Sequence, residues 1–585
     1  MHNSDVAPLS RTSRSRLSAA PGWHLFAALL SAMLLTACGG GGGGGGGSGD
    51  SSRTLTDSSG APALPFDASP PVAVPDNSFG VDCSGSRCGA IDNTTYAGSG
   101  VGLWRYSNTT ASPAAVPVAI SGTFGREVTL ILTNLGDVSS PLANTFSPSR
   151  FANINGLNQK RVNAAPDNSP GVNRIPARIR HFQTPPLAQQ RSAARSLAAP
   201  SALAASGVGD SRNWYDPDDQ PRTATLQIAR TAIDGRRVNF WLESSEYDAN
   251  KVTDAQLQAL ADAFTSGDNA IYNMVTSLAG QPWGGHSYGN LIDSTQPLDI
   301  VLLNMQDDSQ AWGLVGFFWG RNNFRNGTQD GNNVINTSNE SLSLYLDTET
   351  LYLDSDGLRF EISTLAHELV HMINFYQRSV RRSPQSGDYR YDSWLEELTA
   401  SMMEDLIGTR LDPSYHIIRD DRFPSWLQAG DFNCDLTTFD DDTGSRCFGY
   451  NLAGSFGAWL LRHYGIDFYL SLLTDTSSTD SVAVLDHALR QYGGLGFKDA
   501  VRRWGTLLAP LPAAAPDWFG LPGRTQRGFT LPAIDGRNYL RQLPTSAPAQ
   551  LVPNGHFPQR RANVADPYVE TVTVPAHTTL TVIVQ

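Results

Sequence analysis

The residues best suited to chemistry are His367-Glu368-Leu369-Val370-His371, two histidines four positions apart with a glutamate between them. On a helix, side chains at i and i+4 leave from one face, so both imidazoles reach a single metal ion. The glutamate then stands beside the ion rather than on it. Imidazoles suit zinc, and a carboxylate next to an activated water is a general base for hydrolysis. The pattern predicts a zinc-dependent hydrolase, with one zinc per chain.

The element that must position these residues is also legible. The run Ile362–Ile373 is too apolar for a solvated helix, and Leu365, Leu369, Met372 and Ile373 recur at three- and four-residue spacing, a buried stripe. Catalytic zinc generally takes three protein ligands and leaves a fourth position open. The third ligand is expected on the stretch Asp392–Asp405, which reads as a second helix. Ser393 followed by Glu396 fits a capping box, in which Glu396 turns back to the helix start. That leaves Glu397 as the candidate third ligand. Glu404, seven residues on, shares its face and is a candidate acceptor for the far nitrogen of a ligating histidine.

His367-Glu368-Leu369-Val370-His371-Met372-Ile373-Asn374-Phe375-Tyr376, followed by Trp394-Leu395-Glu396-Glu397, resembles a gluzincin peptidase, more narrowly the hyicolysin family of bacterial neutral metallopeptidases. The likeness covers roughly 235–510, with its specific motifs in 365–376 and 394–405. It implies zinc on His367, His371 and Glu397, Glu368 as catalytic acid/base, and a protein or peptide substrate. One departure is Ser401, where some gluzincins place an aspartate four residues after the glutamate ligand. The contact it would make must come from elsewhere, with Glu404 and Asp405 the candidates.

Peptide hydrolysis also calls for a donor to the developing oxyanion. Tyr389, Tyr391, Tyr450 and His463 are candidates, and Tyr450 is favoured because Cys447 anchors its segment. Ser341–Asp347 alternates in part and reads as a strand; the stretch 341–353 is expected to be the edge that pairs with an extended substrate.

At the start of the chain, Arg11, Arg14 and Arg16 precede a short apolar run ending in Leu35-Thr36-Ala37-Cys38, which resembles a bacterial lipobox. The resemblance implies cleavage before Cys38 and acyl chains on it, which anchor a protein in a membrane. Gly39 carries no acidic retention signal, so the outer membrane or cell surface is expected. Lipidation takes one of five cysteines and leaves two local pairs, Cys83 with Cys88 and Cys434 with Cys447, as disulfides of an oxidising compartment.

The chain divides into a signal peptide (1–37), the lipidated cysteine with a Gly-rich tether (38–75), and a β domain (76–183). A low-complexity linker (184–212) and a hairpin around Asp234-Gly235 (213–245) lead to the metallopeptidase domain (246–510) and a C-terminal β module (511–585). Apolar spacing predicts one helix over 254–279. The expected fold class is α+β, a zincin-like domain of mixed sheet followed by helices, flanked by small β domains. A net charge of −13 argues against nucleic acid. Asp307/Asp308, Asp354/Asp356 and Asp440–Asp442 are either calcium-type oxygen donors or plain turns. Two other functions compete: a non-catalytic surface-binding lipoprotein on a peptidase fold, and a serine esterase using Ser287 of Gly285-His286-Ser287-Tyr288-Gly289, which fits G-x-S-x-G.

Overall fold

The computed structural model describes residues 69–142, 173–188, 206–382, 389–440 and 445–585; the signal peptide, Cys38 and the tether lie outside them. Six strands build the sheet beside the site: β1 (Ser211–Tyr215), β2 (Pro221–Thr231), β3 (Arg237–Glu243), β4 (Leu298–Leu303), β5 (Gly316–Phe318) and β6 (Leu342–Asp347). Their order is β5-β6-β4-β3-β2-β1. β4 pairs in parallel with both β3 and β6, and the remaining pairs are antiparallel. The central strands are apolar without a break because both faces are covered. Along β4, Leu298, Ile300 and Leu302 enter the core shared with the helices. Val301 and Leu303 face the other side, against Trp241, Phe317 and Trp319 and the Ile175 and Ile179 of the segment 173–188.

The hairpin around Asp234-Gly235 is present as β2 and β3, and it belongs to this sheet rather than leading up to it. The helix expected over 254–279 is two, α1 (Asp254–Thr265) and α2 (Ile271–Ala279). Gly267 at φ +80° breaks it, a backbone setting that favours glycine. Beyond the sheet come α3 (Gly357–Asn374), α4 (Ser393–Leu411), α5 (Gly449–Thr474) and α6 (Phe497–Gly505). α5 bends at Gly465, φ +84°. No helix among the described residues is long and apolar enough to cross a membrane.

The two terminal β regions, expected as separate modules, share one sheet. Its strands run Phe79–Val81, Gly102–Ser107, Thr578–Val584, Val128–Asn134, His556–Arg561 in spatial order. Ala114–Ile120 likewise pairs with Tyr568–Val574 over seven residues. Each half alone would leave open strand edges, and pairing the ends of the chain closes them against one another. Disulfides join Cys83 to Cys88 and Cys434 to Cys447. The whole is a mixed α and β fold with a zincin-like centre and β structure at its flank.

Candidate metal centre

α3 presents His367 and His371 on one face, with ring centroids 4.8 Å apart. α4 packs across that face in the opposite sense: Ser363 meets Glu404 near one end, and Asn374 meets Glu396 near the other. Between them, Glu397 Oε2 lies 3.0 Å from His367 Nε2 and 3.6 Å from His371 Nε2. The three donor atoms sit within 4.8 Å of one another, and they form the one three-ligand cluster of His, Cys, Asp or Glu among the described residues. Zinc bonds of about 2.0–2.2 Å in a tetrahedron separate neighbouring ligands by roughly 3.3–3.5 Å. The two distances from Glu397, 3.0 and 3.6 Å, bracket that separation, within a set that spreads to no more than 4.8 Å.

The outer nitrogens are held by acids. His371 Nδ1 is 3.0 Å from Glu396 Oε1, and His367 Nδ1 is 3.3 Å from Glu404 Oε2. Such partners orient an imidazole and leave the opposite nitrogen facing the metal. His371 Nε2 is buried without a hydrogen-bond partner, as a ligand nitrogen should be. Burial alone would lower the His367 pKa, but Glu404 and Glu397 raise it to about 9. His371 rises well above its usual value against the same burial, through Glu397 and Glu396. The carboxylates therefore favour positive charge where the imidazoles converge. A divalent cation supplies that charge with both rings neutral, so the residues fit zinc in spacing, donor type and electrostatics.

Glu368 is fully buried, and burial pushes its pKa up. Its Oε2 accepts the Phe318 amide at 2.8 Å, while Oε1 has no hydrogen-bond partner. That leaves one oxygen held by β5 and the other free for a proton. Tyr450 stands with its ring 6.1 Å from that of His367, packed on Phe439 and Phe448, and its buried hydroxyl has no hydrogen-bond partner. Two of the other oxyanion candidates are engaged elsewhere. Tyr391 donates to the Leu472 carbonyl and His463 Nε2 lies 3.0 Å from the Gly520 carbonyl, while for Tyr389 only the main-chain carbonyl is bonded among the described residues, by Arg378. Burial lowers the His463 pKa to about 3.

Several expectations change. Glu396 does not cap α4; Asp392 precedes the helix with no side-chain cap, and Glu396 bonds His371 and Asn374 instead. Asp405 does not reach a ligand; it pairs with Arg462 and His416. The substrate edge is not 341–353: β6 is paired on both sides, and 348–353 is helical. The outer strand beside the metal centre is β5, which lies within the stretch 314–318 that the sequence reads as a strand. Gly285–Gly289 is a loop between α2 and β4, without the strand-to-helix turn a serine nucleophile needs. Nor do Asp307, Asp308, Asp354 and Asp356 assemble a calcium site, while Asp441 and Asp442 of the third candidate lie outside the described residues. Asp354 accepts the Asp356 amide, and Asp308 accepts that of Gln310, as turn residues do. Sequence reasoning also passed over Glu361, fully buried two turns before Glu368 on the same helix, where burial, Asp347 and Glu368 push its carboxyl well up. An acid inside an apolar stripe was the available signal.

The sequence profile of the peptidase M30 family matches residues 218–585, and that of a domain of unknown function, DUF8571, matches 82–145. No curated protein matches the chain. Among solved structures, a mutant of a two-domain M1 zinc metallopeptidase bound to L-arginine aligns at 10% identity with a TM-score of 0.26. That alignment covers 56% of this chain and 53% of the other, so the chain spans about half the length of that protein.

Proposed function

The chain belongs to the peptidase M30 family and is a zinc metalloprotease, and from that premise we propose a surface endopeptidase whose zinc is held by His367, His371 and Glu397. The observation that carries this is the convergence of two imidazole Nε2 atoms and one carboxylate, with both Nδ1 atoms facing acids. Zinc, when bound, supplies Lewis acidity that polarises a carbonyl and makes water acidic near neutral pH. Glu368 takes the proton of the attacking water on its free Oε1 and delivers it to the leaving amine, while the Phe318 amide steadies Oε2. Burial favours the protonated form of Glu368, which suits the second of these transfers. The Tyr450 hydroxyl donates to the developing oxyanion. Glu396 and Glu404 keep the rings turned so that the Nε2 atoms converge. Acyl chains on Cys38 and the Gly-rich tether would hold the enzyme at a bacterial outer membrane, with protein or peptide as substrate.

The test is proteolysis of unfolded casein by residues 50–585, beside Glu368→Ala, with zinc measured in both. The expected result is about one zinc in each and a loss of about 10²–10⁴-fold in the variant. Equal activity in the two, or a chain that takes up no zinc, would overturn the assignment.

A further inference from the structure

We propose that the segment 173–184 is an internal occupant of the substrate groove that keeps the peptidase latent, an inference that rests on the reading above. An extended substrate would add to the sheet at an outer strand, and of the two outer strands, β1 and β5, it is β5 that bonds Glu368 through the Phe318 amide. In an antiparallel pair, backbone groups alternate between the partner strand and the free side. The Asn173 carboxamide fills the groups that Gly316 offers. Its Nδ2 donates to the Gly316 carbonyl at 2.7 Å, and its Oδ1 accepts the Val315 amide at 2.9 Å and the Gly316 amide at 3.3 Å. The Arg174 amide extends the pairing to the Gly313 carbonyl. A carboxamide has the donor and acceptor of a peptide bond, so this side chain stands where a substrate backbone would bond.

The segment then passes the metal centre. Asn173 borders a cavity shared with His367, Glu368 and Tyr450. Ile175, Ile179, Phe182 and Thr184 line a second cavity whose far wall includes His371 and Glu397. The zinc-ligand candidates and the base are buried beneath these cavities: Glu368 is 0% exposed, Glu397 3%, His367 5% and His371 8%. Polar contacts hold the segment beside the apolar packing of Ile175, Ile179 and Phe182. Arg390 donates to the Phe182 carbonyl and Gln183 Oε1, and Arg178 pairs with Asp218 at 2.8 Å. Asn290 bonds Pro186 and Ala188. The contrary reading is that the segment is a permanent wall of the pocket, since Ile175 and Ile179 also cover Phe317 and Trp319. The two readings predict opposite responses when the segment is loosened.

The experiment uses the zinc-loaded full chain carrying Glu368→Gln, which retains a bound peptide, and a fluorescein-labelled extended casein peptide as probe. Asn173→Ala and, separately, Arg178→Ala loosen the segment at its start and at its middle, and neither replaces a catalytic group. Each should tighten peptide binding about ten-fold, because the fraction of open grooves rises. Hydrogen exchange at the Gly316 amide should quicken in step. A synthetic peptide of residues 173–188 should compete with the probe. With Glu368 intact, kcat/KM should rise by a similar factor, through KM. Unchanged or weaker binding in variants that keep the parent's melting temperature would overturn the proposal and make the segment a wall. Should Asn173→Ala unfold, Arg178→Ala carries the same comparison. Tighter binding with no cleavage by zinc-loaded Glu368 enzyme would sink the peptidase mechanism and leave the latency standing. Full cleavage with no gain in binding would do the reverse.

Discussion

Two places in this molecule bury several charges close together, and they balance them differently. Where α6 meets the sheet formed by the chain ends, Asp82 and Asp499 face Arg105, Arg502 and Arg503. Arg502 bonds both carboxylates, and Arg503 bonds Asp499 at 2.7 Å. Burial works against these charges, yet the arginines hold the Asp499 carboxyl far below its usual range. At the metal centre, Glu368, Glu396, Glu397 and Glu404 gather around two imidazoles, and among the described residues no guanidinium or ammonium forms an ion pair with any of them. In the first set both carboxylates are paired with guanidinium groups of the chain itself, although Arg105 Nε and both terminal nitrogens of Arg503 make no hydrogen bond among the described residues. The second lacks cationic partners of its own and leaves His371 Nε2 and Glu368 Oε1 without hydrogen bonds. Buried charge that closes on itself is structural, and buried charge that does not marks where something else binds.

The sharpest way to break this contrast is to remove one charge from each set. Glu397→Ala should take zinc to background and cut proteolysis by more than about 10³-fold, since Glu368 then has no activated water to deprotonate. Arg502→Ala should cost about 3 kcal/mol in denaturant unfolding, because it removes the closest partner of two buried carboxylates and leaves them to Arg105 and Arg503. Zinc per folded chain should stay at one in that variant. If Arg502→Ala loses zinc instead, the two sets are not independent.

A smaller effect concerns the acids behind the imidazoles. Glu404→Gln and Glu396→Gln should each weaken zinc about 10–100-fold in chelator competition. Glu404 is the largest upward influence on His367, whose pKa of about 9 means that zinc must displace a proton at neutral pH. Zinc affinity should therefore climb as pH rises from the unperturbed 6.5 toward about 9, and in Glu404→Gln the climb should shift to lower pH. An unshifted climb would remove Glu404 from the site.

The smallest effect sits behind the ligand helix. Asp405 is fully buried, a setting that opposes its charge, but Arg462 and His416 hold its pKa down at about 2. A depressed carboxyl stabilises the fold above its unfolded value of 3.8 and loses that contribution as pH falls through about 2. The loss should reach about 2 kcal/mol in acid unfolding. The Asp405→Asn variant should lack this acid-sensitive step, with zinc bound as before at neutral pH; a zinc deficit there would mean that this pair supports the metal centre.

Some of this was legible in the residues. The i, i+4 pair of histidines and the apolar stripe at Leu365 and Leu369 are local matters, settled by helix geometry. The hairpin at Asp234-Gly235 and the strands at 298–303 and 342–347 were legible for the same reason. Glu396 misled because Ser-x-x-Glu looks the same whether the glutamate bonds its own helix start or a histidine on another helix. The open edge misled because the stretch 314–318 reads as a strand without saying where in the sheet it lies, and the edge role went to 341–353 instead. Val128–Asn134 and Thr578–Val584 were each recognisable as strands, but nothing in either says that they pair across more than four hundred residues of chain.

By itself, then, the sequence determined which side chains could bind a metal and which faces must be buried, because spacing along a helix or strand follows from bond geometry. Only the tertiary structure decided which acid holds which imidazole, which strand is the edge, and that Asn173 lies upon it. Those choices depend on contacts between residues far apart in the chain, and local periodicity carries no term for them.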